Sequence, residues 1–351
     1  VTRRKSRQVS IGSVAVGGDA PVSVQSMTKT RTDDVEGTIR QIRELAELGC
    51  EIVRIAVPSR DAAKTIPAIR AESSLPIVAD VHFSAGIALE AVKAGADAVR
   101  INPGNTTDTE GIRALADAAR ERGIPIRVGT NSGSVGHGTE KDVAKRLVDV
   151  CLEACGRLEE MDFHDIIVSF KASTCDDTVR AYRIASGRCD YPFHVGMTAT
   201  GPAEQGLVRS AIAIGAVLME GIGDTIRVSL TGPPHGEVSA AYEILSAVGL
   251  RKRGPEVVAC PTCGRCGIDV AGLAEEVKRV TSGWTDDITI AVMGCEVNGP
   301  GEAREADVGI AGAGKKMLLF SKGVERGRVE PSSAADALVE EARKLRVEKE
   351  K

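Results

Sequence analysis

The chain has 351 residues, 42% of them hydrophobic and 27% charged, and its 45 Lys and Arg against 49 Asp and Glu give a net charge of −4. That length exceeds what one hydrophobic core usually serves, so two domains are expected. The acidic balance and the scarcity of aromatics (one Trp, three Tyr, five Phe) argue against nucleic-acid binding, and no apolar run reaches the length of a membrane span.

Residues 6–17 alternate and end in Gly17-Gly18-Asp19, which predicts a small hairpin. Eight short runs rich in Val and Ile follow: Val22–Met27, Ile52–Val57, Pro76–Val81, Ala98–Ile101, Ile126–Gly129, Ile166–Lys171, Phe193–Met197 and Thr225–Leu230. Amphipathic stretches separate them, among them Val35–Leu48, Ser84–Ala94, Thr109–Arg122, Glu140–Arg157 and Glu204–Glu220, and Glu237–Ala247 closes the series. Eight strand–helix units in about 250 residues is the count of a closed (β/α)8 TIM barrel. The rival is an open doubly wound sheet, and no Gly-x-Gly-x-x-Gly turn follows the first run to favour it.

Arg251-Lys252-Arg253-Gly254-Pro255 reads as a linker, which sets the expected domains at 1–250 and 256–351. Beyond it, helices are expected at Val270–Val280 and Ala334–Arg346, and strands at Asp287–Val292 and near Asp307–Ala311, a small α/β module.

Charged residues recur two apart at the carboxyl ends of the barrel runs. Arg54 lies within its run; Asp80 and His82, Arg100 and Asn102, Ser169 and Lys171, and Arg227 and Ser229 form pairs; Arg127 precedes Gly129 and Asn131, and His194 precedes Gly196 and Thr198. Strand residues i and i+2 share a face, and the carboxyl ends of barrel strands carry the active site. Four arginines, a lysine and two histidines converging there would repel one another, and Asp80 alone is too little compensation. A ligand with two phosphoryl groups fits, because Arg meets phosphate oxygens bidentately. Gly104 and Asn105 would let backbone N–H groups approach a phosphate as well. The rival role for Lys171 is a Schiff-base amine, which needs a depressed pKa that nearby phosphates would oppose.

Of nine cysteines, Cys50, Cys151, Cys155, Cys175 and Cys189 are scattered in helical or apolar context and read as small core residues. The others gather in two Gly/Pro-rich loops, Cys260-Pro261-Thr262-Cys263-Gly264-Arg265-Cys266 and Gly294-Cys295-Glu296-Val297-Asn298-Gly299-Pro300-Gly301-Glu302. Soft ligands at this spacing suit iron–sulfur or zinc. Cys260, Cys263 and Cys266 also make a Cys-x2-Cys-x2-Cys run like that of bacterial ferredoxins, so Cys266 and Glu302 compete for the fourth ligand position.

These two loops, with Gly221–Leu230 and Val99–Asn105, resemble the signatures of the 4-hydroxy-3-methylbut-2-enyl diphosphate synthases, iron–sulfur enzymes of the non-mevalonate isoprenoid pathway. The resemblance runs from about Arg7 to Val347 and matches the bacterial two-domain form. It implies a 4Fe-4S cluster on Cys260, Cys263, Cys295 and Glu302. It implies as substrate 2-C-methyl-D-erythritol 2,4-cyclodiphosphate, bound by Arg54, His82, Arg100, Asn102, Arg127, Asn131, Lys171, Arg227 and Ser229. It further implies ferredoxin or flavodoxin as electron donor and a homodimer in which each cluster domain caps the partner's barrel; the lack of a membrane span and of an apolar signal core reads as cytoplasmic. In one place the chain departs from the family, which usually has Gly-x-Thr-Glu-Ala-Gly after the seventh strand. Here Gly196-Met197-Thr198-Ala199-Thr200-Gly201 puts Ala199 where an acid/base glutamate is expected, and Glu204 is the substitute at hand. Two other readings are a catalytically silent or diverged iron–sulfur relative, and an aldolase-like barrel with a structural zinc module.

Overall fold

The structure is a computed structural model that describes residues 2–82, 84–103, 108–136 and 140–349. Gly104 and Asn105 lie outside the described residues. The chain divides into two compact units, Val1–Arg251 and Lys252–Lys351.

In the first unit a hairpin, β1 (Val9–Ile11) and β2 (Val14–Val16), precedes eight strands: β3 (Ser23–Met27), β4 (Ile52–Ala56), β5 (Ile77–Asp80), β6 (Ala98–Ile101), β7 (Ile126–Asn131), β8 (Ile166–Lys171), β9 (His194–Val195) and β10 (Thr225–Ile226). All eight pair in parallel in the order β8-β7-β6-β5-β4-β3-β10-β9, and a bridge from Val168 to Phe193 closes the ring. Among the described residues nine helices surround it: α1 (Val35–Glu47), α2 (Arg60–Lys64), α3 (Ile66–Glu72), α4 (Ala85–Lys93), α5 (Thr109–Arg122), α6 (Val143–Glu159), α7 (Cys175–Ser186), α8 (Ala203–Met219) and α9 (His235–Ala247). The TIM barrel expected from the strand–helix rhythm is therefore the fold. Two of the expected runs, β9 and β10, are cut to two residues each. Their later residues leave the ladder and turn over the mouth, where Thr200 Oγ1 donates to the Ser229 carbonyl (2.7 Å).

Local chemistry fixes where the helices begin. Asp34, Ser84, Asp108, Asp142 and Thr174 each accept from a backbone N–H in the first turn of the helix that follows, each such cap worth about 1 kcal/mol. The helices bury their apolar stripes on the outer faces of the strands, with Ile42, Leu45, Leu115, Leu147 and Leu245 essentially inaccessible to solvent. The hairpin plugs the bottom: Ile11 and Val16 pack on Ile52, Val78, Ala98 and Ile167, the lowest inward-facing layer. A dry floor leaves the upper inward positions, two residues further along each strand, for polar groups.

The second unit is a five-stranded sheet, β11 (Glu256–Ala259), β12 (Thr289–Met293), β13 (Val308–Ala313), β14 (Lys316–Ser321) and β15 (Val324–Val329), in that spatial order. The first three strands are parallel and the last two antiparallel. Helices α10 (Val270–Thr281) and α12 (Ala334–Lys349) pack Val277, Leu338 and Ala342 on one face, against Ile290, Val292 and Ile310. The short α11 (Gly299–Glu305) lays Ala303 on the other, against Met293, Ala311 and Phe320. β11, β14, β15 and α11 were not expected from the pattern. β11 and β15 are largely exposed edge strands and carry little alternation.

Candidate active site

The barrel mouth is built from the period-two pairs. Arg54, His82, Arg100, Asn131, Lys171, Arg227 and Ser229 line one cavity of about 160 Å³, together with Asp80, Ser169, Met197, Thr198 and Ala199. Seven of the nine expected substrate contacts thus meet. Arg127 lies beneath, fully enclosed, its Nη1 donating to Gln25 Oε1 (2.7 Å). Asn102 is buried at the side, with Nδ2 donating to Ser134 Oγ (2.9 Å).

Asp80 is the local anchor. Its carboxylate lies 3.7 Å from Arg54 Nε, 3.3 Å from Arg100 Nη1 and 3.3 Å from His82 Nε2. Burial alone would push this carboxyl up, but Arg54, the His82 hydrogen bond and Arg100 outweigh it and hold the carboxyl far below the usual range. Arg100 Nη2 also donates to the Gly129 carbonyl (2.9 Å). Gly129 is required there: a Cβ would sit 2.6 Å from Ser169 Oγ and 2.9 Å from Arg100 Nε.

A second carboxylate, Glu237 in the first turn of α9, escaped the sequence reading. It is buried and accepts from Lys29 Nζ (2.8 Å), the Leu230 N–H (3.0 Å), Ser26 Oγ (3.1 Å) and Arg227 Nη2 (3.5 Å). The available signal was its position one strand-to-helix turn after Arg227. Even so, cations prevail. Burial and Arg54 bring Arg227 down to about 10. Burial, then Arg54, Arg227, Arg127 and Arg100, hold Lys171 well below its ordinary value. Among the described residues Arg127 Nε and Nη2, Arg227 Nε, His194 Nδ1 and Ser229 Oγ are buried without a hydrogen-bond partner. A multiply charged anion would supply what this mouth lacks.

Ala199 lies on the rim with a left-handed backbone (φ 52°) and brings no carboxylate to the cavity. Glu204 is exposed in the first turn of α8 and does not line the mouth.

In the second unit the two cysteine loops follow β11 and β12. Cys260, Cys263, Cys266, Cys295 and Glu302 line one cavity of about 230 Å³. The Gly294 N–H donates to Cys260 Sγ (3.2 Å) and the Gly267 N–H to the Gly294 carbonyl (3.0 Å), which ties the loops together. Cys295 sits just before α11, and the N–H groups of Asn298, Val297 and Gly299, with Arg265, lower its thiol pKa. Among the described residues no three His, Cys, Asp or Glu side chains close on one metal-ion position. Thiolate donors spaced around one cavity, with an N–H directed at a sulfur, fit an iron–sulfur group.

Fold and sites together define a barrel protein with a cation-rich mouth and a separate thiol-lined module. Two family models divide the chain the same way: the GcpE TIM-barrel domain matches residues 6–242, and the GcpE protein C-terminal domain matches residues 256–344. A Thermodesulfovibrio yellowstonii protein described as 4-hydroxy-3-methylbut-2-en-1-yl diphosphate synthase (flavodoxin) is 48% identical across 98% of this chain and 100% of its own length. A Salinispora arenicola protein of the same description is 49% identical across 98% of this chain and 90% of its own. Among solved structures, the 3-deoxy-D-arabino-heptulosonate 7-phosphate synthase of Thermotoga maritima (truncated form) superposes with a TM-score of 0.53 at 13% identity, covering 71% of this chain and 96% of its own; this is a likeness of fold alone. The chain belongs to the GcpE family.

Proposed function

We propose that this chain opens the ring of 2-C-methyl-D-erythritol 2,4-cyclodiphosphate and reductively removes one hydroxyl, giving 4-hydroxy-3-methylbut-2-enyl diphosphate for isoprenoid synthesis. The observation that carries this is near-full-length identity of about half to synthases of that description. The cation-rich mouth and the thiol cavity are consistent with it. The reaction balances as substrate plus two electrons and two protons, giving product and one water.

In the mouth Arg54, Arg227 and Lys171 would take the diphosphate oxygens, and Arg127 would hold the floor positive beneath them. Ser229 Oγ and Arg227 Nε are among the buried groups for which a ligand would supply hydrogen-bond partners. Asp80 and Glu237 keep the cations apart and aimed. Cys260, Cys263, Cys295 and Glu302 would hold a 4Fe-4S cluster. When bound, the cluster would supply the electrons for the reduction. Flavodoxin, named in the descriptions of the relatives, is the proposed electron donor. The described cysteines are all free thiols, which suits a reducing cytoplasm. The exposed apolar stripe Leu207, Val208, Ile212 and Met219 on α8 supports a homodimer.

The aldolase reading gains one feature, since Lys171 does have the depressed pKa that an amine nucleophile needs. It loses on the thiol cavity, which such chemistry does not use, and on the full-length relatives. Anaerobic turnover of the cyclodiphosphate with flavodoxin and a low-potential reductant tests the proposal. Product formation supports it, and no product from cluster-loaded protein would sink it.

A further inference from the structure

The thiol cavity holds five donors, Cys260, Cys263, Cys266, Cys295 and Glu302, one more than a four-iron cluster takes from a protein. The surplus group is Cys266. It shares a tight turn with Cys263, its N–H donating to the Cys263 carbonyl (2.9 Å). Its thiol donates to the Ile268 carbonyl (3.2 Å), which holds the sulfur on the cavity lining. A methyl group on Gly294 would come within 2.5 Å of Cys266 Sγ and 3.3 Å of Cys260 Sγ. Glycine at that position is what lets the two sulfurs converge over one stretch of backbone. Glu302, in contrast, is exposed on α11.

A carboxylate is a harder ligand for iron than a thiolate and exchanges more readily. We propose that Cys266 is a reserve ligand of the cluster, occupying the iron position whenever Glu302 leaves it. This rests on the cluster reading above. In the exchange the Cys266 S–H bond breaks and its proton passes to water. A sulfur–iron bond forms as the Glu302 oxygen–iron bond breaks, and no electron moves. The all-thiolate state so formed completes the Cys-x2-Cys-x2-Cys run with Cys295 and is closed to a substrate oxygen. It is a fallback form that keeps the iron while Glu302 is away.

Four chains decide it after anaerobic reconstitution with iron and sulfide: the unaltered protein, Glu302→Ala, Cys266→Ala and the double variant. The readouts are iron and sulfide per chain, the EPR spectrum after reduction, and the rate of iron loss to a chelator. Glu302→Ala is expected to keep its iron with an altered EPR spectrum, and Cys266→Ala to keep its iron with the spectrum unchanged. The double variant is expected to lose iron about 10-fold faster or more, the scale on which changes around a metal site alter its retention. Cys266→Ser in the Glu302→Ala chain nearly preserves side-chain volume and should also lose iron faster, which separates ligation from packing. Equal iron loss from Glu302→Ala with and without Cys266 would overturn the proposal. If the unaltered protein itself took up no cluster of about four irons, the cluster reading would fall, and the proposal with it.

Discussion

Lys171 Nζ and His194 Nε2 lie 3.5 Å apart inside the barrel, two buried bases facing each other beneath a ring of arginines. Each is pushed toward its neutral form, mainly by burial and then by the surrounding cations. A diphosphate brought to this mouth reverses the balance, because an adjacent anion favours the ammonium. The sign follows directly. Between the depressed Lys171 value of the empty mouth and its higher value in the complex, binding takes up a proton, so affinity falls as pH rises through that window. Calorimetry with inorganic pyrophosphate in two buffers of different ionisation enthalpy should show proton uptake, and Lys171→Met should abolish most of it. Equal heats in both buffers would mean that Lys171 is already charged in the empty site.

Asp80 carries a stability prediction. Its folded pKa is depressed below the unfolded value of 3.8, so its contribution is present above that pH and is lost as pH falls toward the folded value. Asp80→Asn leaves Arg54 and Arg100 without their shared counter-charge and is expected to cost about 3–5 kcal/mol at neutral pH, the scale for breaking a buried ion pair. Melting temperatures of both proteins from pH 6 downward, on the order of one pH unit per step, should converge as the native carboxylate protonates. Parallel curves would show that Asp80 does not couple to the mouth cations.

Arg54→Ala and Arg227→Ala should each weaken diphosphate binding by roughly 1.5–3 kcal/mol, the scale of a charge-assisted hydrogen bond. Neither strands a carboxylate: Asp80 keeps Arg100, and Glu237 keeps Lys29, Ser26 and the Leu230 N–H. The loss should therefore appear in titrations while the melting temperature holds. Unchanged affinity in both variants would move the anion site elsewhere.

The rim position 199 makes a further test. Ala199 already adopts a left-handed backbone, so Ala199→Glu adds little conformational strain and places a carboxyl at the mouth. Its expected effect is a higher kcat and a new ionisation in the pH–rate profile, since positioned acids contribute up to about 10²–10⁴-fold. An unchanged profile would assign proton delivery to groups already present, with His82 at the mouth the first to examine.

The barrel was legible because its strands are buried on both faces and read as continuous Val/Ile runs, and the mouth because inward positions recur every second residue. Glu237 was not, because it stands at a helix start, where acidic residues usually serve the helix dipole and face water. Glu204 shows the converse. It is near Ala199 in sequence, yet the turn into α8 leaves it exposed to solvent, a direction that chain distance does not encode. The hairpin of β14 and β15 escaped because β15 (Val-Glu-Arg-Gly-Arg-Val) is an exposed edge with only its ends apolar.

Assembly gives the last prediction. Arg251, the final residue of the barrel unit, donates to the Val22 carbonyl (2.7 Å) and pairs with Glu51 (2.7 Å). Both partners stand just before strand starts, so the chain leaves the barrel at the rim opposite the mouth. The proposed homodimer would draw the mouth and the thiol cavity from two copies of the chain, head to tail. Cys295→Ala and Arg54→Ala chains, each impaired alone, should regain activity when mixed under conditions that allow subunit exchange, because one pairing in the heterodimer has both parts intact. Full activity from a verified monomer, or no recovery despite demonstrated exchange, would rule this arrangement out.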